Sequence, residues 1–222
     1  MFASNVSHEL RTPLASIMCE LGLALQKERT PEDYQHRIAR ALNDASGMSD
    51  TIIGLLNLAR AEYDASQIKM EPIRVDELLM DMAEELLRAK PDYHINVSFA
   101  DEHVSDTAVI VMANRYLLSL AFRNLMENNC KYSPDRTSYV VIQTRGGVSI
   151  TFADNGIGMS AIDQREIFRM FYRGSNQAEK GHGIGMALVQ RVLSVHHATI
   201  DIVSKEGHGT KFIVRLATNH SE

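Results

Sequence analysis

Two long segments with helical periodicity fill the first quarter of the chain, and they constrain its fold more than any other feature. In residues 2–28 apolar side chains recur every three or four positions, and the same spacing returns from Ile38 to Ala59. Between the segments, Thr30 and Pro31 precede two acidic residues, a pattern typical of a helix start with a threonine cap. The pattern predicts an antiparallel helical hairpin, whose small core is completed by dimerisation into a four-helix bundle.

The remainder of the chain predicts a mixed domain. Helical periodicity lapses between Tyr63 and Met70, and short β-rich segments then alternate with helical ones. The predicted strands are 73–75, 95–99, 109–112, 139–144, 148–153, 199–204 and 210–216, and the predicted helices are 76–90, 114–132 and 185–196. The fold class is therefore α+β, with a helical hairpin over residues 1–64, a linker over 65–72 and an α/β sandwich over 73–222.

Composition narrows the classes of function. A net charge of −5 and a pI near 6.0 provide no basic face for nucleic acid, so nucleic-acid binding is not expected. The two cysteines lie far apart in helical segments, which favours a reducing compartment over a disulfide framework. No apolar run approaches the roughly 18 residues of a membrane span, so any membrane attachment is expected from segments outside this chain.

A histidine on the first helix faces away from the apolar stripe. At about 100° per residue, His8 lies about 160° from Leu10, and Thr12 lies on the same outward side. Taken alone, such a histidine is more often structural or without a role. However, the string Ser7-His8-Glu9-Leu10-Arg11-Thr12-Pro13-Leu14 resembles the H-box of sensor histidine kinases.

The resemblance implies catalytic roles for three residues of this string. His8 is the expected phosphoryl acceptor, since an imidazole has one nitrogen unprotonated near neutral pH while the other donates a hydrogen bond. Glu9 is expected to hold that second proton. Thr12 is expected to orient a water that removes the phosphoryl group from a partner protein, although it could equally bond to its own helix backbone.

Polar residues and glycine motifs follow in a fixed order along the second domain. Asn124, Asn128 and Lys131 are spaced to share one face of a helix. This spacing alone predicts no more than a solvated helix face, and each glycine motif alone marks an ordinary turn. Together they resemble the asparagine, phenylalanine and glycine boxes of the GHKL ATPase fold. The motifs are Asp154-Asn155-Gly156-Ile157-Gly158, Ile167 to Arg173, Gly181-His182-Gly183-Ile184-Gly185 and Gly207-His208-Gly209-Thr210.

This second resemblance implies a site for ATP and Mg²⁺. Asp154 is expected to accept the exocyclic amine of adenine, and Asn128 to offer a neutral oxygen to the metal. Glycines at the start of a helix let backbone amides approach phosphates. The expected cofactor-binding residues are Asn124, Asn128, Lys131, Tyr132, Asp154, Gly156, Gly158, Arg173, Gly181, Gly183, Gly185 and Thr210.

Two further features of the second domain lead to expectations. The stretch from Ser160 to Lys180 is predicted to form a lid, in which Phe168 and Phe171 either latch the lid or simply pack in the core. Asn129 stands on the apolar stripe of its helix, where the family usually has a small apolar residue. We therefore expect its carboxamide to have a hydrogen-bond partner.

The leading hypothesis is an ATP-dependent protein-histidine kinase core. It phosphorylates its own His8, passes the phosphoryl group to an aspartate of a response regulator receiver domain, and also dephosphorylates that regulator. The expected state is a homodimer on the cytoplasmic side of a membrane-anchored receptor. The expected docking face for the regulator is Ala15, Cys19, Gly22, Leu23 and Gln26. The alternatives are another GHKL ATPase, which would lack the helical hairpin, and a non-catalytic dimeric adaptor with a degenerate nucleotide fold.

Overall fold

The computed structural model describes residues 2–63, 68–101, 105, 107–174 and 183–217, with the side chains of residues 2–9, 50, 58 and 60–63 outside the description. The chain forms two compact units, Met1–Asn57 and Leu58–Glu222. Among the described helices, none combines the length and the apolar character that a membrane span requires.

The first unit is a helical hairpin. Helix α1 covers Phe2–Leu25 and runs through Pro13, and helix α2 begins at Pro31 and continues to Tyr63. Thr30 caps α2, because the backbone N–H of Asp33 donates to its hydroxyl over 3.3 Å. The predicted hairpin is confirmed, although α1 ends three residues earlier than expected.

Polar contacts fix the antiparallel arrangement of α1 and α2. The Ser16 hydroxyl donates to the carboxylate of Asp44 over 2.7 Å, and Glu20 pairs with Arg37 over 2.9 Å. Later positions on α1 therefore meet earlier positions on α2. Large apolar side chains of both helices nevertheless stay exposed. They are Leu14, Met18, Leu21, Leu25, Ile38, Leu42, Ile52, Ile53 and Leu56.

The second unit contains two sheets and three long helices. Its elements are β1 Glu71–Arg74, α3 Val75–Ala89, β2 His94–Phe99, β3 Ile110–Ala113, α4 Arg115–Tyr132, β4 Thr137–Gln143, β5 Ser149–Ala153, α5 Ala161–Glu166, α6 Gly185–Val195, β6 Thr199–Ser204 and β7 Thr210–Arg215. The main sheet has the order β2-β4-β5-β7-β6, with β2 and β4 parallel and the other neighbours antiparallel. Strands β1 and β3 form a separate antiparallel pair.

The core lies between the main sheet and the helices. Phe122 of α4 is completely buried, and its ring centroid lies 5.5 Å from that of Phe152 on β5. Helices α3 and α6 both pack against α4. The α/β sandwich is confirmed, and this packing holds the end of α4 over the loop that follows β5.

The predicted boundary between the first strand and the helix after it is wrong. Val75 was expected to end a strand, but it is the first residue of α3. Its backbone N–H donates to the carbonyl oxygen of Val109 over 3.0 Å as the chain turns into the helix. Asp76 and Glu77 then occupy the first helical turn, where acidic side chains are favourable.

Candidate functional site

Helix α4 brings one of its predicted polar residues, Asn124, against the start of α6. Asn124, Asn128 and Lys131 are all half-buried. The Nδ2 of Asn124 donates to the carbonyl of Leu120 over 2.7 Å. Its Oδ1 lies so close to Gly185 that a Cβ there would be 2.4 Å from this oxygen. A residue of the helix face and the first residue of α6 are thus brought into contact, as the sequence predicted for one site.

Asp154 follows β5 and is held in a buried position. Asp154 is only 7% exposed. Its Oδ1 accepts hydrogen bonds from the backbone N–H of Gly156 over 2.7 Å and from that of Thr210 over 3.2 Å. Burial raises the pKa of this carboxyl group to about 6, although the two backbone donors oppose the rise. Neither hydrogen bond uses Oδ2, so this oxygen is available to another donor.

Two glycines are needed for the close contacts around Asp154. A Cβ on Gly156 would lie 2.2 Å from the carbonyl oxygen of Tyr132, the last residue of α4. A Cβ on Gly209 would lie 2.1 Å from the carbonyl oxygen of Asp154, and Gly209 has a φ of +77°. Both contacts exclude a larger side chain. The first and third glycine motifs therefore pack directly against Asp154.

The start of the predicted lid is ordered by side-chain contacts. Ser160 caps α5, and Asp163 accepts a hydrogen bond from the Tyr172 hydroxyl over 2.7 Å. Phe168 packs against the core, whereas the backbone N–H of Phe171 donates to Gly183 over 2.8 Å. Phe171 also has a φ of +63°, in the left-handed region.

The remaining predicted residues of this region are distributed around the site. Gly158 and Gly183 each have a φ of +66°. The ammonium nitrogen of Lys131 lies 5.1 Å from the ring centroid of Tyr132, and Arg173 is exposed. Gly181 and the last six residues of the predicted lid lie outside the described residues.

Ser204, which was not predicted as a site residue, connects the residue after the first glycine motif to the third glycine motif. Its hydroxyl oxygen accepts from the backbone N–H of Met159 and donates to the carbonyl of Gly209, each over 2.9 Å. It also lies 2.9 Å from the hydroxyl of Thr210. The sequence showed only a serine at a strand end. Asp163, by contrast, could have been found, because a serine three residues before an acid signals a helix start.

Asn129 is only partly satisfied. The residue is completely buried, and its Nδ2 donates to the Ser138 hydroxyl over 3.2 Å. Its Oδ1 is buried and has no hydrogen-bond partner in the part of the chain that the structure describes. The expectation of a partner is therefore correct for the nitrogen and wrong for the oxygen, and an unpaired buried polar atom costs about 1–3 kcal/mol.

On the first unit, His8 and Glu9 lie in α1, but their side chains are outside the description. Thr12 is exposed on the same helix. The predicted docking face is largely open to solvent: Ala15, Cys19, Gly22 and Gln26 are exposed, and Leu23 is half-buried.

Comparisons with known proteins match both units. The family described as His Kinase A (phospho-acceptor) domain matches residues 1–64. The family described as histidine kinase-, DNA gyrase B-, and HSP90-like ATPase matches residues 113–220.

Named relatives agree with both matches. The sensor-like histidine kinase SenX3 of Mycobacterium tuberculosis is 32% identical over 224 residues, covering 97% of this chain and 53% of that protein. The heme sensor protein HssS of Staphylococcus saprophyticus is 30% identical, covering 96% of this chain and 45% of that protein. The chain thus spans about half the length of the curated relatives it matches.

Solved structures are similar in fold. The Acinetobacter baumannii histidine kinase AdeS superposes with a TM-score of 0.70 at 16% identity, covering 96% of this chain and 98% of that one. Full-length ShkA in complex with AMPPNP superposes with a TM-score of 0.63 at 22% identity, covering 97% of this chain and 46% of that one.

Proposed function

Because this chain belongs to the sensor histidine kinases, we propose that it binds ATP and transfers the γ-phosphoryl group to its own His8. The observation that carries the proposal is the buried Asp154 carboxylate, which two glycine motifs hold beside the end of α4. It occurs in the same chain as an H-box helix that matches the phosphoacceptor family.

Asp154 fits the recognition of adenine. Its free Oδ2 can accept a hydrogen bond from the exocyclic amine, which guanine replaces with a carbonyl at the same ring position. The phosphates would extend toward Gly183 and Gly185, where the amides and dipole of the α6 start favour anions. Lys131 and Arg173 would offset the phosphate charge.

The polar face of α4 fits Mg²⁺. This ion prefers oxygen ligands, keeps several waters and takes further ligands from phosphates. Asn128 offers a carboxamide oxygen as the metal ligand. Asn124, one turn earlier on the same helix, would support the ion directly or through a water. When bound, the ion supplies positive charge that stabilises the phosphates during transfer.

The transfer itself needs a nucleophile and a means to hold its proton. The unprotonated imidazole nitrogen of His8 forms a bond to the γ-phosphorus as the bond to the β-phosphate oxygen breaks, and ADP leaves. Glu9 accepts a hydrogen bond from the other ring nitrogen and stabilises the positive charge that develops. The phosphoryl group then passes to an aspartate of a response regulator receiver domain.

The helical hairpin fits a homodimer. Exposed apolar side chains on both helices include Leu42, at 66% exposure, and Leu25, at 88%. Apolar surface of this extent indicates an interaction site, and a second hairpin would convert it into the core of a four-helix bundle. We also propose a cytoplasmic location at the inner face of a membrane.

Incubation with γ-labelled ATP and Mg²⁺ tests this function. The wild-type chain should acquire label that is acid-labile and base-stable, as expected for phosphohistidine. Asn128→Ala should lower labelling by about a hundredfold or more while unfolding stays cooperative, because a half-buried carboxamide contributes little packing. The control is Glu127→Gln on the same helix, which should label normally. Full labelling of Asn128→Ala would show that the metal is held elsewhere.

Regulator dephosphorylation is expected to depend on Thr12. Its exposed hydroxyl lies in α1 four residues after His8, where it can orient a water against the acyl phosphate of a docked regulator. Thr12→Ala should slow the decay of purified phospho-regulator by about tenfold, with far less effect on autophosphorylation. Met18→Ala, which truncates a different exposed side chain of α1, should leave the decay unchanged. Parallel loss of both activities in Thr12→Ala would indicate a role in helix geometry instead.

A further inference from the structure

Asn129 follows the proposed metal ligand, Asn128, and has a buried hydrogen-bond acceptor that no described residue satisfies. Its Nδ2 is bound to the buried hydroxyl of Ser138, and its Oδ1 is buried without a partner in the described part of the chain. Turning the carboxamide over would pair the oxygen with Ser138 but leave the NH₂ group unsatisfied. In either orientation the side chain can still engage a further polar group.

Sheet register places Ser138 beside Asp154. Strands β4 and β5 are antiparallel, with Tyr139 opposite Ala153. Continuing this register by one residue sets Ser138 opposite Asp154. Both residues are buried. Ser138 is two positions from the core residue Val140, and Asp154 is two positions from the core residue Phe152, so strand alternation puts each on the core side of the sheet. Their side chains therefore share one face of the sheet on adjacent strands.

Helix α4 approaches Asp154 by a second, independent contact. Tyr132 follows Asn129 by three residues, so the two lie on one side of the helix. A Cβ on Gly156 would lie 2.2 Å from the Tyr132 carbonyl oxygen and 2.7 Å from the Asp154 Oδ1. The last turn of α4 and the Asp154 carboxylate thus contact the same glycine, and Asn129 lies on the preceding turn.

We propose that Asn129 is a specificity residue for the nucleotide base, accepting a hydrogen bond from the 6-amino group of adenine directly or through one bound water. The inference rests on the proposed adenine site at Asp154. An amino group has two hydrogens, so Asp154 and Asn129 can each accept one. A purine without a 6-substituent offers neither hydrogen. A 6-oxo purine instead places its carbonyl oxygen, which is itself an acceptor, against the acceptor oxygens of Asp154 and Asn129.

Nucleotide binding to the full chain tests the proposal. We would measure the dissociation constants of ATP and of purine riboside triphosphate, which lacks the 6-amino group, by calorimetry with Mg²⁺. Asn129→Ala should weaken ATP binding about five- to tenfold, the effect of one buried hydrogen bond. Binding of purine riboside triphosphate should change less than about twofold, because that ligand has no amino group to lose.

Control variants separate hydrogen bonding from packing. Val140→Ala removes buried volume beside Ser138 and should weaken both nucleotides by the same factor. Asn129→Ser keeps an oxygen in a small side chain. If Asn129→Ala does not unfold cooperatively, Asn129→Ser should show the same ATP-selective loss, but smaller.

Two results would contradict the proposal and identify different errors. Equal losses for both nucleotides in Asn129→Ala, or no loss for either, would overturn the role of Asn129 and leave the adenine site intact. Failure of the wild-type chain to bind either nucleotide would overturn the adenine site together with this inference.

Discussion

His8→Gln is expected to fold and bind ATP but to incorporate no phosphoryl group from γ-labelled ATP. Glutamine is polar and tolerated in helices, so α1 should form normally. It has no nucleophilic nitrogen, because the amide lone pair is delocalised. The loss of label should exceed about a hundredfold, as expected when a covalent nucleophile is removed. Autoradiography of protein separated at alkaline pH would measure it.

The control for this substitution is a second histidine in the same unit. His36 is exposed on α2, and His36→Gln removes an imidazole without touching the H-box. It should be labelled like the wild type. Undiminished label in His8→Gln would mean that another of the nine histidines is the acceptor. Loss of label in both variants would point instead to a general defect of the hairpin.

Asp154→Asn is expected to weaken ATP binding strongly while stabilising the nucleotide-free protein at neutral pH. The substitution replaces a charged acceptor with an amide, whose NH₂ group can be turned against the adenine amine. Hydrogen bonds to charged groups are stronger than neutral ones, so the affinity should fall by about a hundredfold. Titration calorimetry with ATP and Mg²⁺ would measure this loss. Unchanged affinity would place adenine recognition elsewhere.

The stability effect follows from the pKa of Asp154. Burial raises this pKa to about 6, so the folded protein binds the proton more tightly than the unfolded chain does. The resulting stabilisation is present below pH 4 and is lost as the pH rises through 6. At pH 7 the ionised carboxylate therefore lowers the free energy of unfolding by about 3 kcal/mol. Asparagine does not ionise, so Asp154→Asn lacks this destabilisation.

Denaturant unfolding at a series of pH values would test this effect. The free energy of unfolding of Asp154→Asn, relative to the wild type, should rise by about 2 kcal/mol between pH 4 and pH 7. Asp135→Asn is the control of opposite sign, because a hydrogen bond from the Ser133 hydroxyl lowers the pKa of Asp135. Its carboxylate stabilises the fold above its unfolded pKa and loses that effect as the pH falls. A pH-independent difference for Asp154→Asn would contradict the buried, ionised state.

Asp154 thus illustrates a conflict between stability and binding. An ionised carboxylate in this position lowers the free energy of unfolding of the nucleotide-free protein. It contributes to ATP binding only when a hydrogen-bond donor reaches its Oδ2. Perturbed groups of this kind concentrate at functional sites.

Local sequence signals predicted the helical hairpin and much of the second unit. Periodicity of apolar residues is set by the geometry of a single helix, and Thr30 caps α2 through a contact three residues away. Strands β4 and β5, and likewise β6 and β7, are joined by short glycine-containing turns, a local signal for pairing, and each pair is antiparallel. The order of the motifs was enough to identify the family. The helices, the cap and the two strand pairings depend on contacts between residues close in sequence.

Tertiary structure alone decided the features that depend on distant residues. The parallel pairing of β2 with β4 and the role of Ser204, which meets Met159 from 45 positions away, have no local signal. The raised pKa of Asp154 depends on the burial of one side chain by the whole domain. The unpaired oxygen of Asn129 likewise depends on what surrounds it. Sequence determines which groups are present and their local conformation, whereas desolvation and long-range contacts exist only once the chain has packed.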